Sequence, residues 1–130
     1  MKPFNIHSDH LGYRMNILIS VLGKIAFPLK QGLRLECIKD IKYILEKSGR
    51  TEVHLVDGRM LVVPESLAYY EERLVSDGFM LLHPKALINF FHLMELDLSG
   101  EGKIVMCDGK QLSVSPENIQ VIEKCLHENM

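Results

Sequence analysis

The 130-residue chain lacks the parts from which most enzyme sites are built. It has no Gly-rich phosphate cradle, no G-x-S-x-G, no H-E-x-x-H and no paired-cysteine zinc spacing. Cysteine is scarce: Cys37, Cys107 and Cys125 are an odd number, widely spaced, without a C-x-x-C pair. That pattern argues against a disulfide framework and fits reduced thiols in a cytoplasmic protein. Long apolar runs are also missing. The stretch Ile17 to Leu22 is interrupted by Ser20 and stopped by Gly23-Lys24, far short of the roughly 20 residues that span a bilayer. Asp9 and two histidines precede it with no clean cleavage site, so it reads as a poor secretory signal. Finally, there is no excess of one charge. Fifteen Lys+Arg against 17 Asp+Glu leave a net charge of −2, so a polyanionic partner has to be met by a local basic patch.

What is present is one soluble domain's worth of short β-rich runs punctuated by glycine. Met1 to Asn16 has no sustained period and reads as an extension. Ile17 to Val21 and Lys24 to Phe27 read as early strands, and Gly32 marks a hairpin turn. Residues 1–22 are accordingly expected to be an N-terminal extension and 23–130 the domain. Asp40 to Leu45 alternates polar and apolar, placing Ile41, Tyr43 and Leu45 on one strand face, and Ser48-Gly49-Arg50 turns the chain.

The strongest organisation is an internal echo. Val53 to Val63 and Ile104 to Val114 are both strand, Asp-Gly, strand. Asp-Gly between alternating apolar residues predicts a hairpin, with a two-residue type I′ turn expected. Each hairpin leads into a Pro-Glu step, Pro64-Glu65 and Pro116-Glu117, that suits the first turn of a helix. Ser115 is a natural N-cap for the second helix, and Gly78 closes the first. Both helices are expected to be about three turns long. Leu67, Tyr70 and Leu74 share one face of the first as core. Between the hairpins, Pro84 interrupts the run Phe79 to Asn89, so the chain is expected to leave the sheet near His83 and present side chains outward there. A turn at Ser99 to Gly102 follows. His83, His92, Cys107 and Glu95 are not spaced so that one element would hold a metal, and no cofactor is expected. His54, between Val53 and Leu55, is expected on a solvated face.

The order of these pieces, "DIKYI" at Asp40 to Ile44, "HLVDGRMLVVPESL" at His54 to Leu67, "FMLLHPKALIN" at Phe79 to Asn89 and "DGKQLSVS" at Asp108 to Ser115, resembles the LytTR family of DNA-binding domains. The resemblance runs from about Lys24 to the C-terminus. It implies a mainly β fold with short helices and small packed antiparallel sheets, a LytTR-like β sandwich that reaches DNA through loops. It further implies a transcriptional regulator rather than an enzyme, acting on double-stranded DNA as a homodimer and answering to a signalling protein. The residues ahead of the domain are too few for a receiver, so a stand-alone regulator is expected.

Carried over by position, His83 and Asn89 match the family's H-x-x-x-x-x-N, and Ser115 matches its V-S serine. Asn118, in the first turn of the helix that follows, joins them at a helix N-terminus suited to a phosphate. The chain departs from the family where it has Pro84, Lys85 and Ala86 after the histidine, Pro116 and Glu117 after V-S, and Leu81 two places before the histidine. Three basic positions are thereby missing, and from Lys24 onward the net charge is −3. The remaining candidates for a basic patch are Lys47 and Arg50 around Gly49, with Lys85. The alternative is a protein-interaction module that kept the fold and lost its DNA surface.

Overall fold

The computed structural model describes residues 6–129. The chain divides into two compact units, one ending at Lys39 and one beginning at Asp40.

The first unit holds helix α1 (Ile6–Val21) and a hairpin of β1 (Lys24–Leu29) and β2 (Gly32–Cys37). Two expectations are corrected here. The segment read as an aperiodic extension is helical from Ile6, and Ile17 to Val21, read as a strand, is its last turn and a half. β-branched residues favour strands only where a pleated neighbour receives them, and the local preference is weak enough for context to override. Gly23, with φ 70°, releases the chain into β1 after its N–H donates to the Ser20 carbonyl. Alternation in β1 then buries Ile25 and Phe27.

The second unit is built on a five-stranded antiparallel sheet in the order β5-β4-β3-β7-β6. Its strands are β3 (Ile41–Lys47), β4 (Arg50–Leu55), β5 (Met60–Val63), β6 (Phe79–His83) and β7 (Ala86–Asn89). A three-stranded sheet of β8 (Leu93–Asp97), β9 (Lys103–Met106) and β10 (Gln111–Ser113) pairs in the order β10-β9-β8. Helix α2 (Leu67–Leu74) lies between β5 and β6, and α3 (Pro116–Asn129) closes the chain. This is the mainly β architecture of small antiparallel sheets that the sequence predicts.

The core explains why β3 is buried on both faces rather than one. Tyr43 and Leu45 join Leu82, Ala86 and Ile88 of the same sheet against Ile104 and Met106 of the smaller sheet, with Val114 and Ile122. Ile44 and its cross-strand partner Leu87 are also fully buried, on the opposite face, where α2 packs with Leu67, Tyr70 and Leu74. α2 starts later than its Pro-Glu step suggests, because Ser66 caps it by accepting from the Tyr69 N–H at 3.2 Å, while Glu65 turns back to accept from the Tyr70 hydroxyl. Gly78, with φ 87°, ends this region in the left-handed conformation. α3 has 14 residues, a turn more than expected.

The turns carry the clearest lesson. Both Asp-Gly hairpins form, but each loop has three residues: the glycine N–H donates three residues back, Gly58 to Leu55 and Gly109 to Met106. Only the glycines have positive φ, 90° and 86°. The aspartates do not, because each carboxylate accepts from the N–H two residues on, Arg59 or Lys110, which keeps the aspartate in an ordinary turn conformation. The two-residue turn with positive φ at both positions is instead Ser48-Gly49, at 54° and 77°, between β3 and β4. Pro84 does sit where a ladder donor is not needed, but the chain does not leave the sheet there. It reverses in the short turn between β6 and β7, which pair with each other.

Candidate nucleic-acid interface

Three loops meet at one end of the second unit. Antiparallel pairing of β3 with β7 sets Leu45 opposite Ala86, and the Glu46 N–H donates to the Lys85 carbonyl at 2.9 Å. The Ser48-Gly49 tip and the Pro84-Lys85 turn are thus fixed side by side. The Asp-Gly loop between β9 and β10 completes the group, enclosing an open cleft of about 300 Å³ lined by Lys47, His83, Lys85, Lys110, Gln111 and Ser113, among others. Lys47 comes from the end of β3, and Lys85 and Lys110 from two separate turns. Among the described residues none of them is in an ion pair, although Glu46 also lines the cleft. Three cations against one carboxylate in the cleft lining are suited to a polyanion.

Lys85 and Lys110 are each held by a backbone hydrogen bond. At the central turn, His83 Nδ1 accepts from the Lys85 N–H at 3.1 Å. That bond leaves the ring proton on Nε2, a donor directed away from the turn. The Lys110 backbone is fixed by Asp108, whose Oδ1 accepts from the Lys110 N–H at 2.9 Å. Asp108 Oδ2 is in turn gripped from β3, by Lys42 Nζ at 2.7 Å and the Tyr43 hydroxyl at 2.9 Å. Partial burial pushes the Asp108 carboxyl up, but the Lys42 ammonium, the Lys110 N–H and the Tyr43 hydroxyl outweigh it and hold the group at about 2. Burial, reinforced by Asp108, drives the Tyr43 hydroxyl upward.

The remaining sequence candidates separate. Arg50 lies beside the tip, but its guanidinium is paired with Glu52 at 3.1 Å. Burial works to raise the Glu52 carboxyl, and His54, Lys47 and Arg50 together bring it below its usual range. His54 is therefore not the solvated residue expected: Nε2 stands 3.2 Å from Glu52, and its ring centroid is 4.9 Å from that of Tyr43. Asn89, which the family match offers equally as a DNA contact or as a brace of its loop, stands here as a brace. It is 2% exposed, its amide donates to the Ile41 carbonyl at 2.9 Å, and its oxygen accepts from the Phe91 N–H at 3.0 Å. Ser115 and Asn118 are half-buried and tie α3 to β6. The Ser115 N–H donates to the Leu82 carbonyl, while the Asn118 amide donates to the Leu81 carbonyl and to Ser115 Oγ.

Lys110 and Gln111 were not among the sequence candidates. The signal was in the repeat itself, since Lys110 follows the second Asp-Gly as Arg59 follows the first. What the sequence cannot convey is that only the second hairpin is folded toward the β3–β4 tip.

The comparisons agree with this architecture. The model of the LytTr DNA-binding domain matches residues 31–127. The sensory transduction protein LytT of Bacillus anthracis is 25% identical over 107 residues, covering 81% of this chain and 43% of that protein. The chain therefore spans less than half the length of that relative. Among solved structures, the LytTr DNA-binding domain of a Bacillus cereus protein described as a methyl-accepting/DNA response regulator superimposes with a TM-score of 0.68. The identity is 19%, over 80% of this chain and 96% of that one, a likeness of fold. No helix among the described residues is long and apolar enough to cross a membrane. With the family model matching most of its length, this chain belongs to the LytTR family of DNA-binding domains.

Proposed function

We propose that this chain is a sequence-specific regulator of transcription that binds double-stranded DNA through the three-loop cleft, and that its 130 residues suffice for binding without a receiver domain. The observation that carries the reading is the convergence of Lys47, Lys85 and Lys110 from three separate parts of the chain on one cleft. Their ammonium groups take backbone phosphates and set the register, which by itself carries no sequence information. Base edges are read by the donors between them, the His83 Nε2–H and the Gln111 amide, whose hydrogen bonds a groove can distinguish. Ser115 and Asn118 act as braces that keep α3 and β6 in place behind the cleft, and Arg50 lends a charge already shared with Glu52. The protein works in the cytoplasm as a homodimer, has no catalytic role, and receives its input from a signalling protein.

Fluorescence anisotropy of the whole chain against a pool of genomic fragments, at about 50 and 200 mM salt, tests the reading. Binding that weakens steeply with salt and enriches particular fragments is expected. Absence of binding at the lower salt would overturn it in favour of a protein-interaction module.

A further inference from the structure

We propose that one face of α1 is the surface through which two copies of this chain associate, each helix covering the other. The spacing of Leu11, Met15, Leu18 and Leu22 is four, three, four, the heptad seam along which two helices interlock. The first three are on α1 and Leu22 is in the turn that follows. All four are about half exposed or more, and Val21 beside them is 76% exposed. A groove of about 540 Å³ runs along the same face, lined by Leu11, Arg14, Met15, Ile17, Leu18 and Val21. It offers the holes into which such knobs fit.

Area and charge select the occupant. Five large apolar side chains at these exposures present roughly 600 Å² per copy, so a pair buries at most about 1,200 Å², the lower end of a specific interface. A face of that size suits a reversible dimer rather than a permanent one. The helix is not a membrane-surface helix, because its charged residues are Asp9 and Arg14, which balance, and no basic polar face exists to meet anionic lipid. Arg14 is the one charged residue lining the groove and is exposed at its edge, so a second copy leaves it in solvent at the rim. This inference deepens the homodimer reading above and rests on it, while DNA binding is a separate claim.

Sedimentation velocity of the full chain without DNA, from about 1 to 100 µM, tests the surface. The wild type is expected to shift from monomer to twice that mass across the range. The double variant Leu11→Glu/Leu18→Glu is expected to stay monomeric, a loss of affinity of at least about 100-fold. Ser20→Glu, on the opposite side of the helix, is expected to behave as wild type. Circular dichroism checks folding, and should the double variant unfold, Leu18→Gln alone is expected to weaken association about tenfold. A wild type monomeric at every concentration would overturn the proposal, as would a dimer that survives both sets of substitutions and so forms elsewhere. Binding of the monomer to anionic phospholipid vesicles, without self-association, would overturn it in favour of a lipid surface. None of these outcomes alters the anisotropy test of DNA binding.

Discussion

Lys85→Gln isolates the electrostatic role of the cleft. The turn that carries Lys85 is held by its backbone alone, the N–H to His83 Nδ1 and the carbonyl from the Glu46 N–H. Replacing the exposed side chain therefore removes a charge and leaves the fold. One neutralised phosphate releases about 0.9 of a counterion, so loss of one such contact lowers the slope of log affinity against log salt by ~0.9. With 1 M as the reference, the same term weakens binding about 15-fold at 50 mM salt and about 4-fold at 200 mM. The variant curve is thus expected to converge on the wild type as salt rises. It should do so on every DNA sequence alike, since phosphates carry no sequence information. Adding Lys47→Gln and Lys110→Gln should bring the loss of slope to about 2.7. The assay is anisotropy on one labelled duplex across four salt concentrations, with urea unfolding to verify stability. A variant with the wild-type slope would remove Lys85 from the interface. A defect confined to some sequences would show that it reads bases.

Three further outcomes test the frame around the cleft. Asp108 is held at about 2 against its ordinary 3.8, so the stability it contributes is complete above roughly pH 4 and is lost as the pH falls toward 2. Its side chain is 28% exposed, and allowing for solvent screening the contribution is about 1 kcal/mol; Asp108→Asn should cost that much in urea at pH 7, and the difference from wild type should vanish near pH 2. Asn89→Ala leaves the Ile41 carbonyl and the Phe91 N–H unpaired and should cost about 2–3 kcal/mol in thermal unfolding, with DNA affinity of the folded protein unchanged. Gly102 has φ 80°, and a Cβ there would run into the Ile119 side chain of α3, so Gly102→Ala should cost about 2 kcal/mol, measured by urea unfolding.

Much of the frame was legible because it depends on local chemistry. Gly78 at the end of the α2 region and both Asp-Gly hairpins are set by backbone requirements that a few residues meet on their own; Ser115 does stand just before α3, but its hydroxyl accepts from the Asn118 side chain instead of a backbone N–H. The misread parts depend on neighbours. Ile17 to Val21 has strand-like residues but lies in a helix, and Ile44 is buried because α2 covers the sheet face that alternation assigned to solvent. The aspartates of the two Asp-Gly turns are engaged by the N–H two residues on, and the turn with positive φ at both positions is Ser48-Gly49. Asn89 and Lys85 are both polar and six or fewer residues from His83, yet one is buried and the other stands at the cleft, a distinction made only by the β6–β7 pairing.

Amide chemical shifts of the isotope-labelled chain, titrated with a double-stranded fragment selected from the genomic pool at about 50 mM salt, test the central claim most directly. The account predicts that the perturbed residues cluster at 47–50, 83–85 and 110–113, while α2 is left unmoved. Perturbations centred elsewhere on the domain, or none at all, would contradict it.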